Sequence, residues 1–343
     1  MKQGHNTTIL IICISIFLIL IPLSIFTGYE PISPLRLFRA IQQNDPTHSA
    51  LAIEIVLFHR IPRTLITILV GTALSIGGVT FQALLRNPLA TPYTLGTSSF
   101  ASLGAYIAYL GMNSFLSFIP NKYIPLSHLF AFFFAIGEVL LILILIKTRP
   151  KLSATLLLLC GITLGMLANA FISILRYWAT PDKLVFMERW WFGSTQVLGY
   201  RSLITVSIVS IPAFFLLWSY SSALDQYTFD TEIAQARGVN IAKLQTHLFI
   251  IVSVLTAVIV AETGPIGFVG LIVPHATRYF VGSSHRRVFP YSAFIGGSFL
   301  LFCDILARKL FTTEIPIGII TTLIGVPAFL YILFGKNFKE WMT

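Results

Sequence analysis

Apolar residues in this chain come in long runs rather than at the spacings of a soluble fold. The runs occupy 9–26, 61–85, 94–111, 124–146, 152–175, 203–218, 244–261, 266–281, 290–306 and 315–334. A membrane-crossing helix needs about 20 mostly apolar residues. Backbone groups in lipid must be satisfied within the structure, so only helices and closed barrels can cross. The alternating ten-residue segments and turn punctuation of a barrel are missing. The pattern predicts an all-α polytopic membrane protein with about ten transmembrane helices, a single domain over 1–343. Several runs are short, or broken by Gly or Pro, and those helices are expected inside the bundle or re-entering from one face. The run 266–281, with Pro274, His275 and Arg278 inside it, is the clearest case.

Composition sharpens this. Of 343 residues, 56% are hydrophobic and only 10% charged, where a soluble domain carries about 25%, and the mean hydropathy is +0.84. That excludes an ordinary cytosolic enzyme. The net charge of +10, from 23 Lys and Arg against 13 Asp and Glu, forms no stripe, so nucleic acid is set aside and the bilayer is the expected partner. Cys13, Cys160 and Cys303 lie singly inside apolar runs and are read as free thiols, with no metal site and no disulfide. The segment beginning at Ile9 has no small-x-small cleavage site after it and reads as an uncleaved first span.

The overall split of Lys and Arg between alternate loops is close to even. Lys147, Arg149 and Lys151 nevertheless crowd one short connection without an acid, which marks it as cytoplasmic and places both termini inside. No GxxxxGK[ST] motif occurs, so the chain has no phosphate-cradling loop of its own.

Certain residues interrupt the apolar pattern. Arg60, Ile61, Pro62 and Arg63 open the second span; the arginines serve either as interfacial anchors or as cations that meet an acidic partner. The span stops at Arg86 and Asn87, before Pro88 and Pro92, which force a break. Small residues from Leu95 to Ala105, including Ser98, Ser99 and Ser102, suit close helix packing or the lining of a path. Glu232, Ala234, Arg237 and Gly238, inside a loop at about 222–243, fit a short surface helix ending at a glycine cap, either solvated or docked on another subunit. Intramembrane acids are few, chiefly Glu138, Asp304 and Glu262, which speaks against an ion-coupled carrier. His275 reads as a capping or packing histidine, since no ligand partner lies at metal spacing. A membrane-embedded enzyme using Ser98, Ser99 and His275 lacks any GxSxG or HExxH support.

Taken in order, segments 60–63, 70–74, 82–88, 95–105, 161–164, 264–275, 304–308, 314–318 and 325–327 resemble the FecCD-type permease subunits of bacterial ATP-driven importers for ferric siderophores, haem and cobalamin. The resemblance covers most of the chain. It implies a ten-helix inner-membrane subunit that pairs with a second copy or a sister permease, with cytoplasmic ATP-binding subunits and with an extracytoplasmic solute-binding protein. It implies no catalytic residue and no cofactor bound by this chain, ATP being used by the partner subunit. An iron chelate is the expected cargo, with cobalamin or haem as alternatives and an ion-coupled secondary transporter as a more distant one. By the same resemblance Arg60 and Arg308 receive acidic residues of the binding protein. Asn87 and Leu89, with Ser153, Ala154 and Thr155, form the inner gate. The stretch with Glu232, Ala234, Arg237 and Gly238 is similar to the coupling element of such importers, departing at Ile233; there Ala234 and Gly238 fit a cleft where bulk is excluded. The path between is expected to be apolar or weakly polar.

Overall fold

A computed structural model describes residues 2–28, 52–112, 125–148, 154–310 and 313–334. Among these, thirteen α-helices and no strand are found. In chain order they are α1 (Lys2–Phe26), α2 (Ile61–Leu84), α3 (Thr97–Ile107), α4 (Leu126–Thr148), α5 (Ala154–Trp178), α6 (Pro181–Trp191), α7 (Arg201–Ser219), α8 (Ser221–Phe229), α9 (Thr231–Ala236), α10 (Ile241–Thr263), α11 (Val269–Val281), α12 (His285–Lys309) and α13 (Ile317–Phe334). Every one of the ten apolar runs contains a helix. Among the described residues six helices are long and apolar enough to cross a membrane; Ile11–Phe26 and Ile317–Ile332 are shorter apolar pieces.

Tertiary hydrogen bonds fix which helix ends lie together. Ser24 and Thr64 hydroxyls are 2.9 Å apart, and the Arg308 guanidinium donates to the Thr27 carbonyl at 2.7 Å. The end of α1, the start of α2 and the end of α12 therefore meet at one pole, called here the arginine pole. At the opposite pole the Trp218 indole donates to the Arg286 carbonyl at 3.2 Å, and the Tyr227 hydroxyl donates to the Leu84 carbonyl at 3.1 Å. These bonds gather the ends of α2 and α7, the start of α12, and α8 and α9. By the same alternation α1 starts and α13 finishes at this second pole.

The centre is α2. Of its most apolar window 78% is buried, against 22% for α7, as expected for a helix wrapped by others and one whose face meets lipid. Its most extensive partner is α12. Hydrophobicity does not drive helices together in lipid, so contact relies on small residues and interhelical hydrogen bonds. Here Gly71 meets Gly296 backbone to backbone. Close by, the Thr72 hydroxyl donates to the Ala293 carbonyl at 2.9 Å and the Ser75 hydroxyl to the Ser292 carbonyl at 2.7 Å. Such bonds contribute about 0.6 kcal/mol each in a bilayer.

Two chain breaks interrupt the helical path. After α2, Asn87 turns the chain by accepting the Leu89 N–H on Oδ1 at 2.8 Å. Thr91 and Thr94 then cap each other across the short turn Pro92–Leu95. The second break decides between the two expectations for 266–281. α10 ends at the arginine pole and α12 begins at the other, so this stretch crosses the bundle instead of re-entering from one face. It does so as extended chain from Gly264 followed by α11, whose 13 residues span about 20 Å, short of a hydrocarbon core of about 30 Å. Burial of Val269, Val273, Pro274 and Arg278 places α11 inside the bundle, as the sequence suggested.

Candidate functional site

At the arginine pole, Asp304 is completely buried and forms the centre of a charge cluster. Arg63 grips it with Nε at 3.0 Å and Nη2 at 2.9 Å, and turns Nη1 to Glu314 at 2.9 Å. Thr195 donates its hydroxyl to Asp304 Oδ1 at 3.1 Å. Arg308 Nη2 lies 2.7 Å from Asp304 Oδ2, an ion pair by proximity rather than an aligned hydrogen bond. Arg308 also donates to the Ser24 carbonyl at 3.0 Å, the Ser24 hydroxyl at 2.8 Å and the Thr27 carbonyl. Arg60 donates to the Ile25 carbonyl at 3.2 Å. Arg60 and Arg308 are thus only 6% and 5% exposed; their guanidiniums point inward onto α1, while Glu314 and Lys309 face outward. Sequence reading singled out both the arginines and Asp304 but did not pair them. The signal was there in the Asp304 and Arg308 pair, one helical turn apart.

At the opposite pole, α8 and α9 form a bent arm. The Asp230 side chain caps α9 by accepting the Ile233 N–H at 2.9 Å. The helix closes where Gly238 N–H bonds to the Gln235 carbonyl and Val239 N–H to the Ala234 carbonyl, both at 2.9 Å. This paired closure requires a left-handed residue, and Gly238 supplies it at φ +87. Ala234 is fully buried against its own chain, whereas Glu232, Arg237 and Gly238 are exposed. The outward apolar residues are Phe229, 81% exposed, and Ile233; sequence reading passed over Phe229 because only the tertiary arrangement reveals its exposure.

The arm is anchored to α12. Asp225 Oδ1 accepts the His285 backbone N–H at 2.8 Å and lies 2.6 Å from His285 Nδ1, and Oδ2 accepts the Ser284 hydroxyl at 3.1 Å. A carboxylate at a helix start is also favoured by the helix dipole. Burial pushes the Asp225 carboxyl up, but the hydrogen bonds and charge of His285 and the Ser284 bond outweigh this and hold it below the usual carboxylate range. Of the expected gate, Asn87 forms the turn after α2 and Leu89 is half exposed. Arg86 beside them bonds the Tyr227 carbonyl and lies 4.6 Å over the Tyr227 ring, tying the turn to the arm. Ala154 and Thr155 open α5. Ser153, Arg149 and Lys151 lie outside the described residues.

Between the poles lies a cavity of about 310 Å³. Gly96, at φ +95, allows α3 to start hard against α5, where a Cβ would sit 2.8 Å from the Gly161 carbonyl. That start carries Ser98, Ser99 and Ser102 to the cavity wall, facing Asn169 of α5 and Thr322 of α13. Trp191, Phe192 and Pro265 supply apolar wall, and the Tyr93 hydroxyl accepts the Ile266 N–H at 3.3 Å. Among the described residues the lining includes no acidic or basic side chain. His275 is engaged elsewhere, its Nδ1 2.6 Å from the Leu271 carbonyl. Among the described residues no three His, Cys, Asp or Glu gather as metal ligands.

The FecCD transport family matches residues 16–335. An uncharacterised ABC transporter permease, YvrB of Bacillus subtilis, is 36% identical over 87% of this chain and 82% of its own. The vitamin B12 import permease BtuC of Vibrio vulnificus is 32% identical over 98% and 96%. A solved structure described as an inward-facing metal-chelate type ABC transporter superposes with a TM-score of 0.82 at 29% identity, covering 96% of this chain and 99% of that one. Further relatives are named for iron chelatin, molybdate and hemin. With a helical bundle, a broken path and a polar cavity already in place, these matches show that the chain belongs to the FecCD transport family, as a membrane-spanning permease of the ABC importer type.

Proposed function

We propose that this permease carries a ferric chelate across the bacterial inner membrane as half of an ATP-driven importer. The carrying observation is the cavity: it lies between the two chain breaks and is lined by hydroxyls, an amide and aromatic rings without a formal charge. Taking a bare ion out of water without a counter-charge is prohibitively costly, so such a wall suits a metal whose charge is wrapped in organic ligand. A corrinoid is the second reading, favoured by the near full-length likeness to BtuC.

In this reading the arginine pole faces outward and receives the solute-binding protein, and the α8–α9 arm faces the cytosol, where the basic connection with Arg149 and Lys151 also lies in sequence. Acidic residues of the binding protein are drawn by the net positive charge of this pole, where Arg60, Arg63, Arg308 and Lys309 outnumber Asp304 and Glu314, with Lys309 the cation exposed for contact. A second copy or a sister permease completes the path. Cytoplasmic ATP-binding subunits grip the exposed residues of the arm, Glu232, Ile233, Arg237 and Phe229. Their closure on ATP moves the arm, and Asp225 passes that movement into α12 as a rigid-body shift between two packed states. The chain itself contributes no covalent chemistry.

The test is reconstitution of the permease with its ATP-binding subunits in proteoliposomes, supplied with binding protein and an iron-55 chelate. Accumulation is expected only with ATP and all components present. Uphill uptake by the permease alone on a sodium or proton gradient would overturn the proposal.

A further inference from the structure

Two helices of this bundle end in the same way with different residues. Each closes with one backbone bond that reaches five residues back and one that reaches three. After α2 these are Asn87 N–H to the Gln82 carbonyl at 3.2 Å and Arg86 N–H to the Ala83 carbonyl at 3.3 Å; after α9 they are Val239 to Ala234 and Gly238 to Gln235. The closure needs a left-handed residue. After α9 glycine fills that place, and after α2 it is Arg86, at φ +46. Among the described residues only Arg86 and Phe268 hold a positive φ without being glycine. Glycine would close α2 at lower backbone cost, so forming the turn does not account for an arginine there. Retained strain points to a task for the side chain.

What that side chain reaches is the arm. Its guanidinium donates to the Tyr227 carbonyl and lies 4.6 Å over the Tyr227 ring. Tyr227 is buried on α8, just before exposed Phe229. It is fixed there by its hydroxyl, which donates to the Leu84 carbonyl at 3.1 Å and accepts from Gln245 Nε2 at 3.0 Å. In the other direction Arg86 opens the strap 86–95, which Asn87, Thr91 and Thr94 close on itself with their own side chains. The strap brings Tyr93 to the cavity wall and ends where α3 starts. Arg86 is exposed, so its charge meets water whenever the contact opens. Arg308, only 5% exposed, has no such exit.

We infer that Arg86 is a positioning residue, a releasable latch through which the α8–α9 arm moves the strap 86–95 and the cavity wall carried on it. This rests on the importer reading above and adds a second route of motion beside Asp225 and α12.

The experiment follows amide hydrogen exchange in the permease assembled with its ATP-binding subunits, with and without a non-hydrolysable ATP analogue. In the wild type the analogue should change exchange about threefold or more, both in the arm at 229–238 and at the Leu89, Ala90 and Thr94 amides of the strap. Arg86→Gly and Arg86→Asn both keep the left-handed turn. In them the arm should still respond while the strap response disappears, and Arg86→Lys, which restores a cation, should recover part of it. An arginine that only closes the helix predicts an unchanged strap response in the glycine variant. A strap response that survives in either assembled variant overturns the latch and leaves the importer reading intact, as does a wild-type strap that ignores the nucleotide while the arm responds. If neither arm nor strap responds in the wild type, the arm's place in the importer reading falls, and the latch with it.

Discussion

At its C-terminal end α12 carries Asp304, wholly buried and met by Arg63 and Arg308, while at its N-terminal end Ser284 and His285 hold an Asp225 carboxylate that is 35% exposed. The first charge cluster is turned into the protein and locks α1, α2 and α12 together. The second fastens an arm whose tip, Phe229 and Ile233, is turned out. Both poles use acids on or beside one helix, yet they differ in what loss of the acid leaves behind. At the arginine pole two guanidiniums would lose the buried counter-charge they share, leaving Arg63 only the partly exposed Glu314; at the arm, water replaces the partner. The contrast suits a lever held firmly at one end and loaded at the other.

The harshest way to break this comparison is Asp304→Ala. Removing one partner of a buried ion pair costs about 3–5 kcal/mol, so this variant is expected to lose most of its thermal stability in detergent, whereas Asp225→Ala should lose far less. Equal destabilisation of the two would erase the distinction. A smaller effect separates stability from coupling: Phe229→Asp, at an exposed site, should change stability by no more than about 0.5 kcal/mol but weaken capture of the ATP-binding subunit about tenfold in detergent. Unaltered capture would remove Phe229 from the contact.

The smallest effect concerns pH. Because the folded Asp225 carboxyl lies below its ordinary value, its contribution is in place above the unfolded pKa of about 3.9 and drains away as pH falls through the lower folded value. Protection of the His285 amide against hydrogen exchange should therefore hold steady from neutral pH down to about 4 and fall below it. A decline beginning near neutrality would point to another group.

Much of this architecture is readable from local pattern. All ten apolar runs contain helices, because about 20 apolar residues in lipid have little alternative. The break at Asn87 follows from Pro88 and Pro92, and the end of α9 from Gly238. What escapes a linear reading is direction. Arg308 turns inward because carbonyls of α1, some 280 positions earlier, are there to receive it. Ala234 faces its own chain instead of an outside cleft because α9 folds back on α10. For 264–281 the pattern leaves a helix inside the bundle and a re-entrant segment both open, and the ends of α10 and α12 on opposite sides decide between them.

The grip of Arg308 on Ser24 and Thr27 has a consequence for biogenesis. α1 closes against a helix made some 280 residues later, so the nascent chain carries an unfinished pole through the synthesis of everything between them. A polypeptide cut short before α12 would keep the Ser24 and Thr27 carbonyls without their cation.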